Sequence, residues 1–236
     1  MQRYFAKIEN ADDVGELIHM GCAMTAEQGV VRQSYHSLAP FESATSMKAA
    51  IYTRGFSDEW LKLYNDENFR ANDPIPKRIL ENGMMMTWQQ AMKAEENSPA
   101  EREYFEAMER HGLKHGFGVP LFGLYACDAY AAFDFDIPIE EVSDAKLGMV
   151  RALSQMVHQR ICVLIKRSEK SYDLSERETE VLEWLARGKS VWAVAAILDI
   201  SPDTVKTYCK RIYAKLGVSD RVGAVVKALK LGLVKI

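Results

Sequence analysis

The C-terminal stretch from Ser175 constrains the fold most, because it carries start and stop signals at the ends of four successive helices. The Ser175 hydroxyl can accept from the backbone N–H of Glu178 and the Glu178 carboxylate can reach back, which makes a capping box. Val181, Leu182 and Leu185 follow as an apolar stripe, and Gly188 offers a left-handed stop. Ser190 opens a shorter second helix, kept thin by Ala195, Ala196 and Leu198. Ser201 caps a third, with Pro202 at the first helical position, where a missing N–H costs nothing. Gly217 ends it, Ser219 or Asp220 opens a fourth, and Gly232 closes that.

A short helix, a tight turn and a longer helix make a helix-turn-helix, whose second member lies in the major groove of DNA. From Thr204 to Lys235 there are eight basic residues against the single acid Asp220. Such a surface suits phosphates. On the third helix Val205, Ile212 and Leu216 share one stripe and can bury, leaving Lys206, Thr207 and Lys210 on the opposite surface. These three, with Thr204 and Arg211 beside them, are the DNA-reading candidates. A lysine-rich helix face alone is usually only a solvated surface; here caps, spacing and charge agree.

A length of 236 residues allows one large or two small domains. With 48% hydrophobic and 27% charged residues, the composition is that of an ordinary globular protein, with no sign of disorder or of a membrane span. MQRYFAKIENADD does not read as a signal peptide, so a cytoplasmic location and no membrane partner are expected. Residues 1–167 hold 18 Lys and Arg against 24 Asp and Glu, whereas 168–236 hold 12 against 9. An acidic body thus carries a basic tail. The division expected is a first domain over 1–166, a polar linker over 167–173 and a second domain over 174–236.

Cys22, Cys127, Cys162 and Cys209 have no ligand spacing, so no metal site is expected. His19, His36, His111, His115 and His158 stand in no catalytic arrangement with Ser, Cys or Asp, and no Gly-rich phosphate loop follows a strand. The HGLKHG run from His111 reads as a turn into a strand. An enzyme is not expected.

In the first domain, Val14, Leu17, Ile18, Gly21 and Cys22 recur at helical spacing and predict a helix over 12–27. Strands are predicted over 30–38 and 47–53, a helix over 57–67, and another from Ser98 to His111. Antiparallel strands are predicted from Gly116 to Phe122 and from Asp128 to Phe135, then a long helix from Ile139 to about Lys166. The fold class is therefore α+β, an α/β/α sandwich around an antiparallel sheet, followed by an all-α four-helix helix-turn-helix domain.

The E-T-E-V-L run at Glu178 to Leu182, Gly188, and T-V-K at Thr204 to Lys206 resemble the LuxR-type DNA-binding domain. Trp60-x-x-x-Tyr64, Asp73-Pro74, Trp88, and His115-Gly116 with Pro120 resemble the autoinducer-binding domain of LuxR-type quorum-sensing receptors. The resemblance implies a regulator that binds an N-acyl homoserine lactone or related small amide, with no cofactor, and then promoter DNA as a homodimer. The long helix would pair the first domains, the fourth C-terminal helix would be a second contact, and RNA polymerase would be a further partner. It also implies that Trp60 donates its indole N–H to the lactone carbonyl, that Asp73 accepts from the ligand amide, and that Tyr64 and Trp88 close over the head group. The chemistry agrees: an indole only donates and a carboxylate accepts. Left empty, both are expected to lack partners, at roughly 1–3 kcal/mol each.

The chain also departs from that pattern. Where many members have a tyrosine serving the acyl carbonyl it has Phe56, and where a serine or threonine often serves the same group it has Ala132. Ser34 and His36 alternate onto one strand face, and Tyr130 and Asp134 share a face with Ala132. Either Tyr130 replaces the lost hydroxyls, or the ligand is not a standard acyl homoserine lactone. Three other readings are a regulator that works without ligand, a phosphorylation-controlled response regulator, and an enzyme. The strand and helix order does not give the parallel sheet of the second, and the third lacks a catalytic constellation.

Overall fold

The computed structural model describes residues 2–38, 45–123, 127–168 and 172–234. They fall into two compact units, Met1–Arg167 and Ser168–Ile236. The expected linker lies partly outside the described residues.

In chain order the first unit contains α1 (Gln2–Asn10), α2 (Val14–Ala26), β1 (Arg32–Ser37), β2 (Ala50–Arg54), α3 (Asp58–Tyr64), α4 (Glu67–Ala71), α5 (Ile75–Asn82), β3 (Met86–Thr87), α6 (Trp88–Lys93), α7 (Pro99–Arg110), β4 (Gly116–Leu121), β5 (Ala129–Asp134) and α8 (Asp144–Ser168). The five strands form one antiparallel sheet in the order β2-β1-β5-β4-β3. Because side chains alternate across a sheet, β4 and β5 send Phe117, Val119, Leu121, Ala129, Ala131 and Phe133 to one face, where they bury with Val142 and Val150. Beside them Leu17, Ile18 and Met24 of α2 pack on Leu153, Val157 and Ile161 of α8. The other face meets α3 to α7 through Trp60, Tyr64, Ile79, Trp88, Tyr104 and Met108. The result is an α/β/α sandwich.

Local chemistry fixes the element ends. Asp13, Ser57, Asp66, Thr87 and Ser98 each accept a backbone N–H at the start of α2, α3, α4, α6 and α7, and Thr87 and Ser98 complete capping boxes with Gln90 and Glu101. Several predicted boundaries shift by up to three residues, and the largest difference is that the long helix starts at Asp144, not Ile139. Ile139–Glu141 after Pro138 is a single 3-10 turn, and the first helical bond of α8 runs from the Leu147 N–H to the Ser143 carbonyl. Pro138 fixes its own backbone but lets the chain turn before the helix begins.

The second unit contains α9 (Glu176–Ala186), α10 (Val191–Leu198), α11 (Pro202–Leu216) and α12 (Arg221–Lys230). The capping box forms, with Ser175 N–H donating to Glu178 at 2.8 Å and Glu178 N–H to Ser175 at 3.3 Å. Glu178 is itself buried, and its carboxylate also accepts from Lys215 Nζ at 2.7 Å, tying α9 to α11. Burial raises the pKa of this carboxyl, but Lys215 and the Ser175 N–H outweigh that and leave it below the ordinary glutamate value. Asp199, in a left-handed conformation at φ 52°, makes the turn between α10 and α11.

Gly116 and Gly118 of β4 set how closely the α3–α7 layer approaches the sheet. A Cβ on Gly116 would lie 2.3 Å from the Trp88 indole nitrogen and 2.5 Å from the Phe133 carbonyl oxygen, whereas one on Gly148 of α8 would meet nothing within 4 Å. Gly116→Ala is therefore expected to cost about 1–3 kcal/mol or more by overpacking, and Gly148→Ala to be neutral or to gain up to about 1 kcal/mol from helix propensity. Urea unfolding midpoints of the two variants against the parent check both.

Candidate functional site

The sheet face toward α3–α7 is laid out in three rungs. Register places Arg32 beside Asp134 and Gly116, then Ser34 beside Ala132 and Gly118, then His36 beside Tyr130 and Pro120. Same-face rungs are about 6.8 Å apart at two residues per repeat. Above them lies a cavity bounded on the helical side by Phe56, Trp60, Tyr64, Asp73, Trp88 and Tyr104. Trp60, Tyr64, Asp73, Trp88, Phe56, Ala132, Tyr130, Ser34 and His36, singled out from sequence, all line it. About 50 Å³ of it is open to water, close to the share of one or two water molecules.

Trp60 and Tyr64 sit one turn apart on α3, started by the Ser57 cap, and stack with centroids 6.0 Å apart. Phe69 and Tyr104 pack edge-on against the indole at 5.9 and 6.0 Å. Trp60 is thus held in an aromatic cage, and its indole N–H has no hydrogen-bond partner among the described residues. Asp73 differs from expectation, because it is not left bare. Its Oδ2 accepts from the Tyr64 hydroxyl at 2.8 Å and its Oδ1 from the Ile75 N–H at 2.9 Å. The Asp–Pro turn before α5 supplies the second bond, and a carboxylate still has lone pairs to offer. Burial raises the Asp73 pKa to about 6, against the opposing pull of the Tyr64 hydrogen bond.

Trp88 is fixed from the side. Its indole N–H donates to Asp134 Oδ2 at 3.2 Å, while Arg32 Nε donates to Oδ1 of the same carboxylate at 2.8 Å. It is a wall of the cavity, not a free donor. Burial also raises the Asp134 pKa, and Arg32 opposes it. Burial pushes the phenols of Tyr64, Tyr104 and Tyr130 well above their ordinary range, so all three stay protonated. Burial, and then the Arg70 guanidinium, hold His36 down to a pKa of about 3, so the ring is neutral.

Arg32, Tyr104 and Asp134 line the cavity but were not singled out as site residues. Strand alternation contained the signal for Arg32, two residues before Ser34, and for Asp134, already placed beside Ala132. Tyr104 lies inside α7, where no local pattern distinguishes it from a core aromatic.

In the second unit Val205, Cys209, Ile212 and Leu216 form the buried stripe of α11. Lys206, Thr207, Lys210 and Arg211 lie exposed on its outer surface, and Thr204 is half-buried near its start. Thr204 serves the cap, with its N–H donating to Ser201 Oγ at 3.1 Å, and the Thr207 hydroxyl donates back to the Asp203 carbonyl at 2.9 Å. Lys206 pairs with exposed Asp203 at 2.9 Å. Two members of the sequence's basic set turn inward: Lys215 to Glu178, and Arg221 to the Leu185 carbonyl at 2.8 Å.

Residues 13–161 match the autoinducer binding domain family, and residues 172–228 match the bacterial regulatory proteins of the luxR family. The chain is 31% identical over 183 residues to the HTH-type quorum sensing-dependent transcriptional regulator RpaR of Rhodopseudomonas palustris, an overlap of 77% of this chain and 74% of that protein. It is 28% identical over 200 residues to the transcriptional activator protein VanR of Vibrio anguillarum, covering 82% and 81%. In fold it is similar to Escherichia coli SdiA, with a TM-score of 0.73 at 22% identity over 98% of this chain and 96% of that one. The complex of SdiA with octanoyl-rac-glycerol gives a TM-score of 0.74 at 20% identity, covering 100% and 96%.

The raised Asp73 pKa sets a pH dependence. A carboxyl whose folded pKa lies above its unfolded one favours the fold while protonated, below about 4, and loses that contribution as pH rises through about 6. Asp73→Asn does not ionise, so its stability relative to the parent is expected to improve by roughly 3 kcal/mol between pH 4 and pH 7.5. Paired urea titrations at each pH measure this; a constant difference between the two proteins would contradict it.

Proposed function

The chain belongs to the LuxR family of quorum-sensing transcriptional regulators, with an autoinducer-binding domain and a DNA-binding domain, and from that premise we propose that its cavity takes an N-acyl homoserine lactone or a closely related small amide. The observation that carries this reading is the pairing of an unpartnered donor, the indole N–H of the buried Trp60, with a buried acceptor, Asp73, on one cavity. A ligand presenting one carbonyl and one amide N–H complements both. Tyr64 and Trp88 then form walls over the head group, and Tyr64 orients the carboxylate.

A drug-sized ligand needs a pocket of about 300 Å³ or more, several times the free space present. Binding therefore requires the α3–α7 layer to ease away from the sheet and close again around the ligand. Ligand contacts replace aromatic self-packing, and the first domain, residues 1–166, is stabilised by mass action. The occupied protein pairs as a homodimer through α8, helped by α12, whose Val222 and Val226 stand exposed. Residues 167–173 link it to the DNA-binding domain over 174–236. Two copies of α11 then enter neighbouring half-sites of a promoter in the cytoplasm, with RNA polymerase as the further partner. Lys206, Lys210 and Arg211 contact phosphates or base edges, and Thr204 and Thr207 lie at the same surface.

Trp60→Ala or Asp73→Ala is expected to abolish the ligand-induced thermal stabilisation of the full chain, read as the loss of the rise in Tm on adding an acyl homoserine lactone. A normal ligand response in either variant removes that residue from the pocket. Lys206→Ala or Lys210→Ala should weaken promoter binding at all sequences and lower the slope of log affinity against log salt by about one. A gel-shift titration at several salt concentrations checks this, and an unaltered slope assigns the lysine to solvent.

A further inference from the structure

The rung of His36 and Tyr130 carries polar atoms that a grip on one carbonyl and one amide leaves unused. His36 is 3% exposed; its Nε2 lies 2.9 Å from Ser34 Oγ, and its Nδ1 is buried with no partner. Its ring meets Tyr130 edge-on, with centroids 5.1 Å apart. The Tyr130 hydroxyl, 2.9 Å from where a Gly118 Cβ would be, has no hydrogen-bond partner among the described residues. Packing alone does not require these atoms, because phenylalanine and leucine would fill the same volume. His36 Nδ1 is closed to solvent in this packing, so a partner reaches it only when the α3–α7 layer eases away from the sheet as ligand entry requires. Phe56 and Ala132, on the same cavity, add no side-chain polar group. His36, Ser34 and Tyr130 thus bring polar atoms to the same cavity as Trp60 and Asp73, with the His36 ring 6.1 Å from that of Tyr64.

Building on the amide-ligand reading above, we propose that the acyl part of the ligand carries a hydroxyl group, read by His36 and Tyr130 with Ser34 setting the His36 ring, and that a plain alkyl tail is selected against. A hydroxyl fits because it both donates and accepts. It can take the Tyr130 O–H and answer His36 Nδ1 in either tautomer: as donor when Nε2–H is given to Ser34, as acceptor when Ser34 gives its proton to Nε2. A hydrocarbon in the same place leaves both groups buried and unpaired, and sites built around a ligand hydroxyl reject the analogue that lacks it. His36 and Tyr130 are then specificity-determining residues, separate from the Trp60 and Asp73 grip on the head group.

The test uses the full chain and two matched pairs of homoserine lactones: hexanoyl with 3-hydroxyhexanoyl, and phenylacetyl with 4-hydroxyphenylacetyl. Dissociation constants are measured for the parent, Tyr130→Phe and His36→Leu. In the parent, the hydroxylated member of at least one pair is expected to bind at least about tenfold more tightly, a difference of about 1.4 kcal/mol. Tyr130→Phe keeps the ring and its packing, so it should shrink that preference to less than about threefold while the affinity for the unhydroxylated partner holds. Equal binding within both pairs by the parent, or a preference that survives in both variants, overturns the hydroxyl assignment and leaves the amide grip standing. Failure of all four lactones to bind or stabilise the parent removes the amide-ligand reading itself, and this inference with it.

Discussion

A carboxyl group sealed among aromatic rings is the constraint from which the first unit's architecture follows. Asp73 is buried beside Tyr64, Tyr104 and Tyr130, and its pKa is raised to about 6. An acid in such surroundings persists only if its lone pairs are taken. The Asp–Pro turn supplies one donor from the Ile75 backbone, and α3 supplies another through Tyr64. Placing Tyr64 there places Trp60 one turn earlier, and the stack between them orients the indole. The glycines of β4 complete the arrangement, since a side chain at 116 would push Trp88 off Asp134.

The two faces of the sheet therefore differ in kind. One is packed with phenylalanine, valine and leucine and makes an ordinary interior with α2 and α8. The other alternates glycine and alanine with charged or hydrogen-bonding residues, a poor choice for stability alone. Local rules that fail at one patch and hold elsewhere mark sites selected for something other than packing. Residual free donors at Trp60 and Tyr130 fit that description.

The C-terminal helices were legible because their signals are local: a cap, a stripe and a glycine lie within a few residues of each boundary. β1, β2, β4, β5 and α2, α3 and α7 are legible from periodicity, whereas the two-residue β3 and the N-terminal α1 are not. By contrast, α4 and α6 are five and six residues long, too short for a repeat to emerge, α5 starts after an Asp–Pro turn with no side-chain cap, and tertiary packing holds all three. The cavity's membership was readable as a set of residues, but its hydrogen bonding was not. That Tyr64 already serves Asp73, and that Trp88 belongs to Asp134, depends on meetings across 9 and 46 positions of chain. The charge count likewise did not reveal that Lys215 and Arg221 turn inward.

The interiors of the two units share no residue: one closes around Trp60, Tyr104 and Ile79, the other around Val181, Leu182 and Ile212. Cooperative unfolding follows such boundaries. The half with the cavity and the half with the DNA-binding helices each carry a core of their own. Whatever fills the cavity adds its free energy to the interior that encloses it, by mass action.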